Sequence, residues 1–337
     1  MIHKNFSLQK FNTFGIEANA KLFAAFNSID ALHSLLEEKE LQNEQRLILG
    51  GGSNILLTKN FQGVVLKNEI PGIEIIQEDE THFYVKAGSG VNWHEFVMHT
   101  VSNKMAGLEN LALIPGCVGA GPMQNIGAYG VELKDVFHSL EAMHIEDKSV
   151  HTFTGQECEF GYRESIFKRR EKDQFVIINV TFRLNRRANL HTSYGAIEEE
   201  LDKMNVDNVQ PHHVAQAVIN IRSSKLPNPK ELGNAGSFFK NPVVPLSVYD
   251  NISKDFNNAP CFPINEREVK VPAGWLIETA GWKGKIIDRC GVHNKQALVI
   301  VNHGGATGKE ILELSQKIID DVYDKFCITL EREVNII

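Results

Sequence analysis

The feature that most constrains this chain is a long, uncharged, glycine-rich stretch over residues 114–130. It contains five glycines, two alanines and two prolines, and no charged side chain. Glycine lacks the Cβ atom that keeps other groups away from the backbone, and it adopts positive φ at little steric cost. Consecutive backbone amides can then form an anion-binding nest. Any phosphate held here would therefore meet backbone donors, although a long structural loop is the alternative interpretation.

A second glycine run, Gly50–Asn54, follows the apolar residues 47–49 and is typical of a turn that leaves a buried strand. Two such loops in one chain favour a large nucleotide-type cofactor. They do not form the ordinary dinucleotide fingerprint, because the segment Gly119–Gln124 lacks the third glycine and Pro122 removes an amide where a helix should begin. We expect instead that backbone contacts from both loops hold a pyrophosphate between two subdomains.

Length and charge restrict the class of protein. The chain has 337 residues, enough for two or three domains, and a formal net charge of −7. An acidic balance argues against a nucleic-acid-binding surface, which needs a basic patch. The N-terminal residues lack the apolar core of a signal peptide, and no apolar run reaches the roughly 18 residues of a membrane span. These features predict a cytoplasmic protein without a membrane partner.

Neither a disulfide framework nor a metal site is expected. The five cysteines are widely spaced and include no C-x-x-C pair. His94 and His99 resemble a zinc-binding H-E-x-x-H pair but lie five positions apart. On a helix this spacing places them about 140° apart around the axis, so they cannot share a metal ion.

Hydrophobic spacing predicts a mixed α+β chain. Ser28 is expected to cap a helix with Ala31, Leu32, Leu35 and Leu36 on one face. Residues 175–184 alternate as a half-buried strand with Val176, Ile178, Val180 and Phe182 on one face. We also predict strands at residues 47–49 and 64–66 and a helix at 214–221. A last helix is capped by Thr307 and Glu310 and has a buried stripe of Ile311, Leu314, Ile318 and Val322. We place domains at residues 1–68, 69–214 and 215–328, followed by a C-terminal strand at 329–337.

Three side chains are candidates for chemistry. Arg163 follows an aromatic residue and can aim its guanidinium at a carboxylate or enolate oxygen, but a surface ion pair is the alternative. Ser237 lies between small residues and two phenylalanines, outside any G-x-S-x-G context, and is otherwise a turn or capping serine. In a C-terminal strand, Glu331 and Glu333 share the face opposite the apolar row. They are otherwise ordinary exposed glutamates of an edge strand, and alternation cannot decide which would be functional.

Six segments, taken in order, carry a resemblance that extends over nearly the whole chain. They are Asn12–Gly15, Gly50–Asn54, Ile114–Gly130, Gly161–Phe167, Gly233–Pro242 and Leu330–Val334. No single segment is specific, but their combination resembles the UDP-N-acetylenolpyruvoylglucosamine reductases, flavoenzymes of peptidoglycan precursor synthesis. The resemblance implies an α+β fold with two FAD-binding subdomains of the vanillyl-alcohol-oxidase type and a third, α+β substrate-binding domain.

The resemblance also implies the site residues. Arg163, Ser237 and Glu333 would be catalytic, and Tyr194, Lys225 and Asn241 would contact the UDP-sugar. The residues expected to contact FAD are Gly50, Gly51, Gly52, Ser53, Asn54, Pro115, Gly116, Gly119, Ala120, Ile126 and Gly127.

The implied reaction reduces the enolpyruvyl group of UDP-N-acetylglucosamine enolpyruvate to UDP-N-acetylmuramate. NADPH would reduce non-covalently bound FAD, flavin N5 would pass hydride to the vinyl carbon, and Ser237 would supply the proton. We expect a monomer. One position departs from the family pattern: Arg332 stands where many members have proline, so Glu333 loses a neighbour with fixed φ and must be oriented by its pairing.

Two alternatives remain open at this point. The chain can be a different FAD-dependent oxidase of alcohols or sugars with the same fold, and such relatives often attach the flavin through His or Cys. It can also be a non-catalytic nucleotide-binding module. Release of free FAD on denaturation distinguishes non-covalent from tethered flavin.

Overall fold

Two units make up the chain, and the computed structural model describes all 337 residues. The first unit comprises residues 1–6, 20–51 and 62–224, and the second comprises residues 7–19, 52–61 and 225–337. Both units combine helices with sheets, so the predicted α+β class is confirmed. The predicted domain boundaries at residues 68, 214 and 328 stay predictions.

Two larger sheets organise the first unit. One has four strands in the spatial order His3–Ser7, Asn19–Phe26, Phe61–Asn68 and Gln45–Leu49. The last two of these strands are parallel and contain the segments 64–66 and 47–49 predicted as strands. The other sheet is antiparallel, in the order Val150–Thr154, Phe137–His144, Phe175–Asn185, His82–Gly88 and Ile73–Glu78. Gly127–Ala128 and Val131–Glu132 form a separate antiparallel pair.

The strand Phe175–Asn185 is more buried than its sequence pattern predicts. It lies in the middle of the five-stranded sheet, and residues 176–182 are all buried. Val176 and Ile178 pack in one hydrophobic core, whereas Val180 and Phe182 pack in another. The expected half-buried strand with these four residues on a common face is therefore wrong. A central strand covered on both sides is apolar on both faces, and here the irregular pairing with Phe137–His144 interrupts the alternation.

Helices of the first unit cover these sheets. Ser28 caps the first helix as predicted, since its Oγ accepts a hydrogen bond from the Ala31 amide at 3.1 Å. Leu32, Leu35 and Leu36 are buried beneath it. The helices are Ile29–Glu37, Trp93–Ser102, Gly155–Cys158, Gly195–Lys203 and Pro211–Lys225, whose last residue is counted with the second unit.

The second unit contains two small sheets and a short parallel pair. One sheet orders Gly233–Ser237, Val299–Asn302, Cys290–Val292 and Ile286–Ile287, and the other orders Val243–Pro245, Glu268–Lys270 and Phe262–Pro263. The parallel pair joins Ile55–Leu56 to Asn335–Ile336. The helices are Leu246–Asp255, Ala273–Thr279 and Gly308–Phe326.

The predicted capping box is confirmed at the last helix. Thr307 Oγ1 accepts from the Glu310 amide at 3.2 Å, and Glu310 Oε2 accepts from the Thr307 amide at 2.6 Å. The predicted apolar stripe of this helix is buried. Of all helices in the protein, none combines the length and apolar character that a membrane span requires.

The C-terminal segment forms less strand than predicted. Only Asn335–Ile336 is a strand, and Arg332 forms an isolated bridge with Phe239. Residues 331–333 and 335–336 pair with two different segments, so a bend at Val334 separates them. Glu333 lies just before this bend, and Ile336 is exposed rather than buried with Leu330 and Val334.

Candidate functional site

The two glycine-rich loops touch within the first unit. A Cβ atom at Gly51 would lie only 2.8 Å from the Cα of Gly116, so the two backbones can meet only because residue 51 is glycine. The amides of Gly51 and Gly116 donate to no acceptor in the protein, and both residues are accessible to solvent. Adjacent free backbone donors suit a diphosphate, and this arrangement fits the expected cofactor.

Close backbone contacts also hold the rest of the long stretch. A Cβ at Gly119 would lie 2.5 Å from Ser89 Cβ, and the Gly119 amide donates to the Ser89 carbonyl at 3.0 Å. A Cβ at Gly50 would meet Cys117 Cβ at 3.6 Å and Ala120 Cβ at 3.9 Å. Glycine and alanine thus keep the first loop and this turn within van der Waals distance of each other.

Gly51→Ala is expected to weaken FAD binding by about 10-fold or more, because the added methyl group must push the two loops apart. Overpacking of this kind typically costs about 1–3 kcal/mol, and about 1.4 kcal/mol is a factor of ten in affinity. The measurement is a fluorescence titration of the apoprotein with FAD. Gly155→Ala is the matched control, since its Cβ would meet Phe137 at an ordinary 3.6 Å. Equal affinities of Gly51→Ala and Gly155→Ala would contradict the proposed contact.

A buried asparagine fixes the second half of the stretch. Asn125 is fully buried and adopts a left-handed conformation with φ of 44°. Its Nδ2 donates to the Gly161 carbonyl at 3.0 Å, and its Oδ1 accepts from the Lys134 amide at 3.0 Å. These bonds hold the residues that follow, Ile126 and Gly127, next to the turn that begins at Gly161.

Arg163 lies on that turn and contacts the same stretch. Gly161 and Glu164 exchange backbone hydrogen bonds, and Arg163 between them has a left-handed φ of 56°. Its Nη2 donates to the Gly127 carbonyl at 2.8 Å. A Cβ at Gly127 would lie 3.3 Å from Nη1, so glycine makes room for the guanidinium. A predicted catalytic residue and a predicted FAD-contact residue are therefore in direct contact.

Two tyrosines and an arginine lie at the end of the long stretch. The rings of Tyr129 and Tyr194 meet edge to face with centroids 5.4 Å apart, and Tyr194 is half exposed. Burial raises the pKa of the Tyr129 hydroxyl, and the neighbouring Arg222 guanidinium partly opposes this effect. Burial lowers the pKa of Arg222, which forms no ion pair with a carboxylate. A half-buried guanidinium without a carboxylate partner suits an anionic ligand.

The residue that leads into the long stretch is held by two side chains. Leu113 has a left-handed φ of 58°, which is unfavourable for a branched apolar residue. Its amide donates to His94 Nδ1 at 3.0 Å, and its carbonyl accepts from Arg222 Nε at 3.3 Å. Nδ1 must carry no proton to accept this bond, so the imidazole is neutral. Burial, opposed by Glu95 and reinforced by Arg222, lowers the pKa of His94.

The pH dependence of stability follows from this pKa shift. Since folding lowers the pKa of His94, its contribution is fully present above the unfolded pKa of about 6.5. It is lost as pH falls through the lower folded pKa, because the unfolded chain takes up the proton first. We expect His94→Gln to show a smaller loss of unfolding free energy than wild type between pH 8 and pH 5.5 in urea titrations. His99→Gln, exposed on the same helix, should behave like wild type; an identical pH dependence in all three proteins would refute this account.

Ser237 ends a strand of the second unit at an irregular pairing. Its register with Val299 is shifted relative to that of Asn234 with Val301. Gly236, with φ of 69°, makes the bulge possible, and its amide donates to Asn234 Oδ1 at 2.9 Å. The following residues Phe238 and Phe239 are buried, so the half-buried serine lies at the edge of an apolar wall.

Glu333 is joined to the same segment by backbone hydrogen bonds. Its amide donates to the Phe238 carbonyl at 2.8 Å, and the Lys240 amide donates to the Glu331 carbonyl at 2.9 Å. Asn54 Nδ2 donates to the Glu333 carbonyl at 3.3 Å, and the Asn54 carbonyl accepts from the Asn335 amide at 3.1 Å. The second unit thus brings Ser237, Glu333 and the end of the first glycine loop together.

The remaining predicted residues of the second unit are placed as follows. Gly52 is buried with φ of 62°, and a Cβ there would lie 2.0 Å from the Phe11 carbonyl oxygen. Ser53 is half-buried beside it. Asn241 Oδ1 accepts from the Ala273 amide at 2.9 Å and so supports the start of a helix. Lys225 is exposed at the C-terminal end of its helix.

Comparison with known proteins assigns the family. The family model for the C-terminal domain of UDP-N-acetylenolpyruvoylglucosamine reductase matches residues 228–337, and an FAD binding domain model matches residues 20–154. The chain is 52% identical to the UDP-N-acetylenolpyruvoylglucosamine reductase of Flavobacterium johnsoniae, over 100% of this chain and 99% of that protein. The chain belongs to the UDP-N-acetylenolpyruvoylglucosamine reductase family. It is therefore an FAD-dependent oxidoreductase of peptidoglycan precursor synthesis.

Other relatives agree with this family assignment. The UDP-N-acetylenolpyruvoylglucosamine reductase of Amoebophilus asiaticus is 46% identical over 100% of this chain and 99% of its own length. The crystal structure of the Thermus caldophilus UDP-N-acetylenolpyruvylglucosamine reductase covers 100% of this chain and 98% of its own, with a TM-score of 0.67 at 22% identity. The predicted FAD-binding fold is confirmed.

Sequence reasoning missed several residues that order this reductase site. Asn125 and Arg222 belong to no motif, and the sequence presents His94 only as a possible metal ligand. An asparagine inside a glycine-rich stretch is a usable signal, because asparagine tolerates left-handed backbone and its side chain caps local turns. Nothing in the sequence indicates that His94 and Arg222 converge on Leu113.

Proposed function

We propose that the chain catalyses the NADPH-dependent reduction of UDP-N-acetylglucosamine enolpyruvate to UDP-N-acetylmuramate, with FAD bound non-covalently. The observation that carries the proposal is the backbone pairing of residues 238–240 with residues 331–333. Through this pairing, the hydroxyl-bearing Ser237 and the carboxyl-bearing Glu333 belong to two segments that are hydrogen-bonded to each other. Full-length similarity to proteins named as reductases of this substrate supports the same conclusion.

FAD would be held by backbone rather than by charged side chains. The free amides of Gly51 and Gly116 are suited to its diphosphate, and Gly119 and Ala120 let the chain approach closely. The remaining proposed contacts are Gly50, Gly52, Ser53, Asn54, Pro115, Ile126 and Gly127. Bound FAD supplies hydride for the reduction after NADPH has reduced it.

Arg163 neutralises negative charge that develops on the substrate carboxylate when hydride adds to the vinyl carbon. The Gly127 carbonyl occupies one guanidinium nitrogen, which fixes the plane of the group. Other N–H donors of the guanidinium then point in set directions, and such preorganised donors stabilise an oxyanion without reorganising.

Ser237 delivers the proton to the carbon that bears the ether oxygen. A serine hydroxyl is a weak acid in water, but a carbanion-like centre needs only a correctly placed donor. Glu333 helps to stabilise the enolate-like negative charge. A bare carboxylate would repel that charge, so Glu333 acts in its protonated form or through a water molecule.

Tyr194, Lys225 and Asn241 bind the UDP-sugar, mainly at its diphosphate. The half-exposed ring of Tyr194 is accessible to a ligand, and the exposed ammonium group of Lys225 supplies positive charge. Asn241 contributes its side-chain amide next to the first residue of the helix Ala273–Thr279, whose backbone amide donates to Asn241 Oδ1. NADPH and the substrate use the same flavin face in turn, so each is expected to inhibit competitively at high concentration.

The test combines cofactor release with product analysis. Denaturation of the purified yellow protein should release unmodified FAD into the supernatant. Incubation with NADPH and the enolpyruvyl UDP-sugar should give a product heavier by two hydrogen atoms, with one NADPH oxidised per product. Flavin that stays with the denatured chain, or NADPH oxidation without product, would refute the proposal. Gel filtration should show a monomer.

A further inference from the structure

Glu333 is held by contacts on both sides along the chain. On one side, residues 331–333 pair with residues 238–240 through the Lys240–Glu331 and Glu333–Phe238 backbone bonds. On the other, Asn335 pairs with Ile55 in the short parallel ladder. Arg332 lies between the residues that form the Lys240–Glu331 and Glu333–Phe238 bonds, and its own amide donates to no acceptor in the protein. The backbone of Arg332 therefore contributes nothing to the ladder.

The side chain of Arg332 makes up for this by binding the helix Gly308–Phe326. Its Nε donates to Ser315 Oγ at 2.8 Å, and its Nη2 donates to Gln316 Oε1 at 2.7 Å. Ser315 is fully buried, and its hydroxyl donates to the Leu312 carbonyl at 2.7 Å. The Ser315 proton is thus committed, and its oxygen lone pair faces the guanidinium.

This anchor is rigid for two reasons. The helix that carries Ser315 packs its buried stripe of Ile311, Leu314 and Ile318 into the core of the second unit. The guanidinium is planar and uses two of its nitrogens, so both the position and the orientation of the side chain are set. An exposed ion pair would contribute little, but these are hydrogen bonds to neutral acceptors, one of them fully buried.

We propose that Arg332 is a positioning residue for Glu333. In an extended segment, successive side chains point to opposite sides. The side chain of Arg332 faces the helix, so the neighbouring Glu333 is directed away from it, and the helix anchor sets the angle at which its carboxyl group projects. This inference rests on the catalytic role of Glu333 in the proposed function.

The backbone of Arg332 can accept proline. Because the Arg332 amide lies outside the ladder, proline at this position removes no ladder hydrogen bond, and its ring fixes φ. Arg332→Pro is therefore expected to restrict the backbone before Glu333 by another means, without the positive charge. Arg332→Ala supplies neither the anchor nor the fixed φ.

Stopped-flow measurement of the two half-reactions tests the proposal. Arg332→Ala should slow substrate-driven reoxidation of the flavin by about 10-fold, below the roughly 10²-fold cost of a 1 Å misplacement, and leave bleaching by NADPH within about 2-fold. Arg332→Pro should reoxidise faster than Arg332→Ala. Ser315→Ala removes the acceptor without altering the Glu333 segment and should also slow reoxidation. Lys309→Ala, which removes an exposed positive charge from the same helix, should match wild type.

A double-mutant cycle separates positioning from general loosening. If Arg332 acts through Glu333, Arg332→Ala should have no further effect in a Glu333→Ala background. The proposal is overturned if Arg332→Ala reoxidises at the wild-type rate, slows both half-reactions equally, or remains additive with Glu333→Ala. Arg332→Pro no faster than Arg332→Ala would also overturn it, because lost charge would then explain the defect.

The same experiment distinguishes failure of this inference from failure of the proposed function. A Glu333→Ala variant that reoxidises at the wild-type rate would remove the catalytic role of Glu333 itself. A slow Glu333→Ala variant together with an unaffected Arg332→Ala variant would refute only the positioning role.

Discussion

Ser237→Ala is expected to slow substrate-driven reoxidation of the flavin by about 10²–10⁴-fold, the usual contribution of a positioned proton donor. Bleaching by NADPH should remain nearly intact, because that half-reaction needs no proton delivered to the vinyl ether. Ser237→Cys should recover part of the loss, since a thiol donates over a similar distance and is more acidic. The measurement is flavin absorbance in stopped flow, with NADPH and substrate mixed separately.

Serines elsewhere provide the control for this prediction. Ser253 lies on an exposed helix of the same unit and donates only to the Asp250 carbonyl, so Ser253→Ala should match wild type in both half-reactions. If Ser237→Ala slowed both half-reactions equally, the serine would shape the flavin pocket. Ser237 would then have only a structural role at the bulge next to Gly236, and the catalytic assignment would be wrong.

Arg163→Lys is expected to slow reoxidation by about 10²-fold, comparable to the loss of one oxyanion donor. The arginine donates to the Gly127 carbonyl through Nη2, and a guanidinium carries five N–H donors in one plane. A lysine ammonium group is a point charge with three rotatable donors, so it cannot hold two acceptors in a fixed plane. The substrate KM should rise less than the reoxidation rate falls.

A nearby arginine is the matched control for Arg163. Arg169 lies in the same segment but is exposed and pairs with Glu159 at 3.2 Å, so Arg169→Lys should leave reoxidation unchanged. Equal effects of the two substitutions, or an effect of Arg163→Lys on FAD affinity alone, would mean that Arg163 only supports the glycine-rich stretch.

Local features of the fold could be predicted from the sequence. The capping box at Thr307 and the Ser28 cap depend on residues within one helical turn, and both are present in the structure. Apolar alternation predicts the position of the strand Phe175–Asn185 but underestimates its burial. Alternation identifies one apolar face, whereas coverage of both faces depends on elements distant in sequence.

The candidate site shows the same limit more strongly. Glycine-rich loops indicated a close approach of backbone, but not that Gly51 would meet Gly116. Asn54 and Glu333 are 279 positions apart and share a hydrogen bond that no local pattern encodes. The link from Arg332 to Ser315 is equally invisible, because a charged residue in an apolar row is explained only by the buried hydroxyl that it meets.

The central claim is tested most directly by an anaerobic two-step absorbance experiment on the purified, flavin-loaded protein. NADPH should bleach the flavin, and the enolpyruvyl UDP-sugar, added after NADPH is exhausted, should restore the oxidised spectrum with formation of one product per flavin. A reduced flavin that stays bleached with this substrate and recovers only on admission of oxygen would contradict the claim, and would favour an oxidase of the same fold.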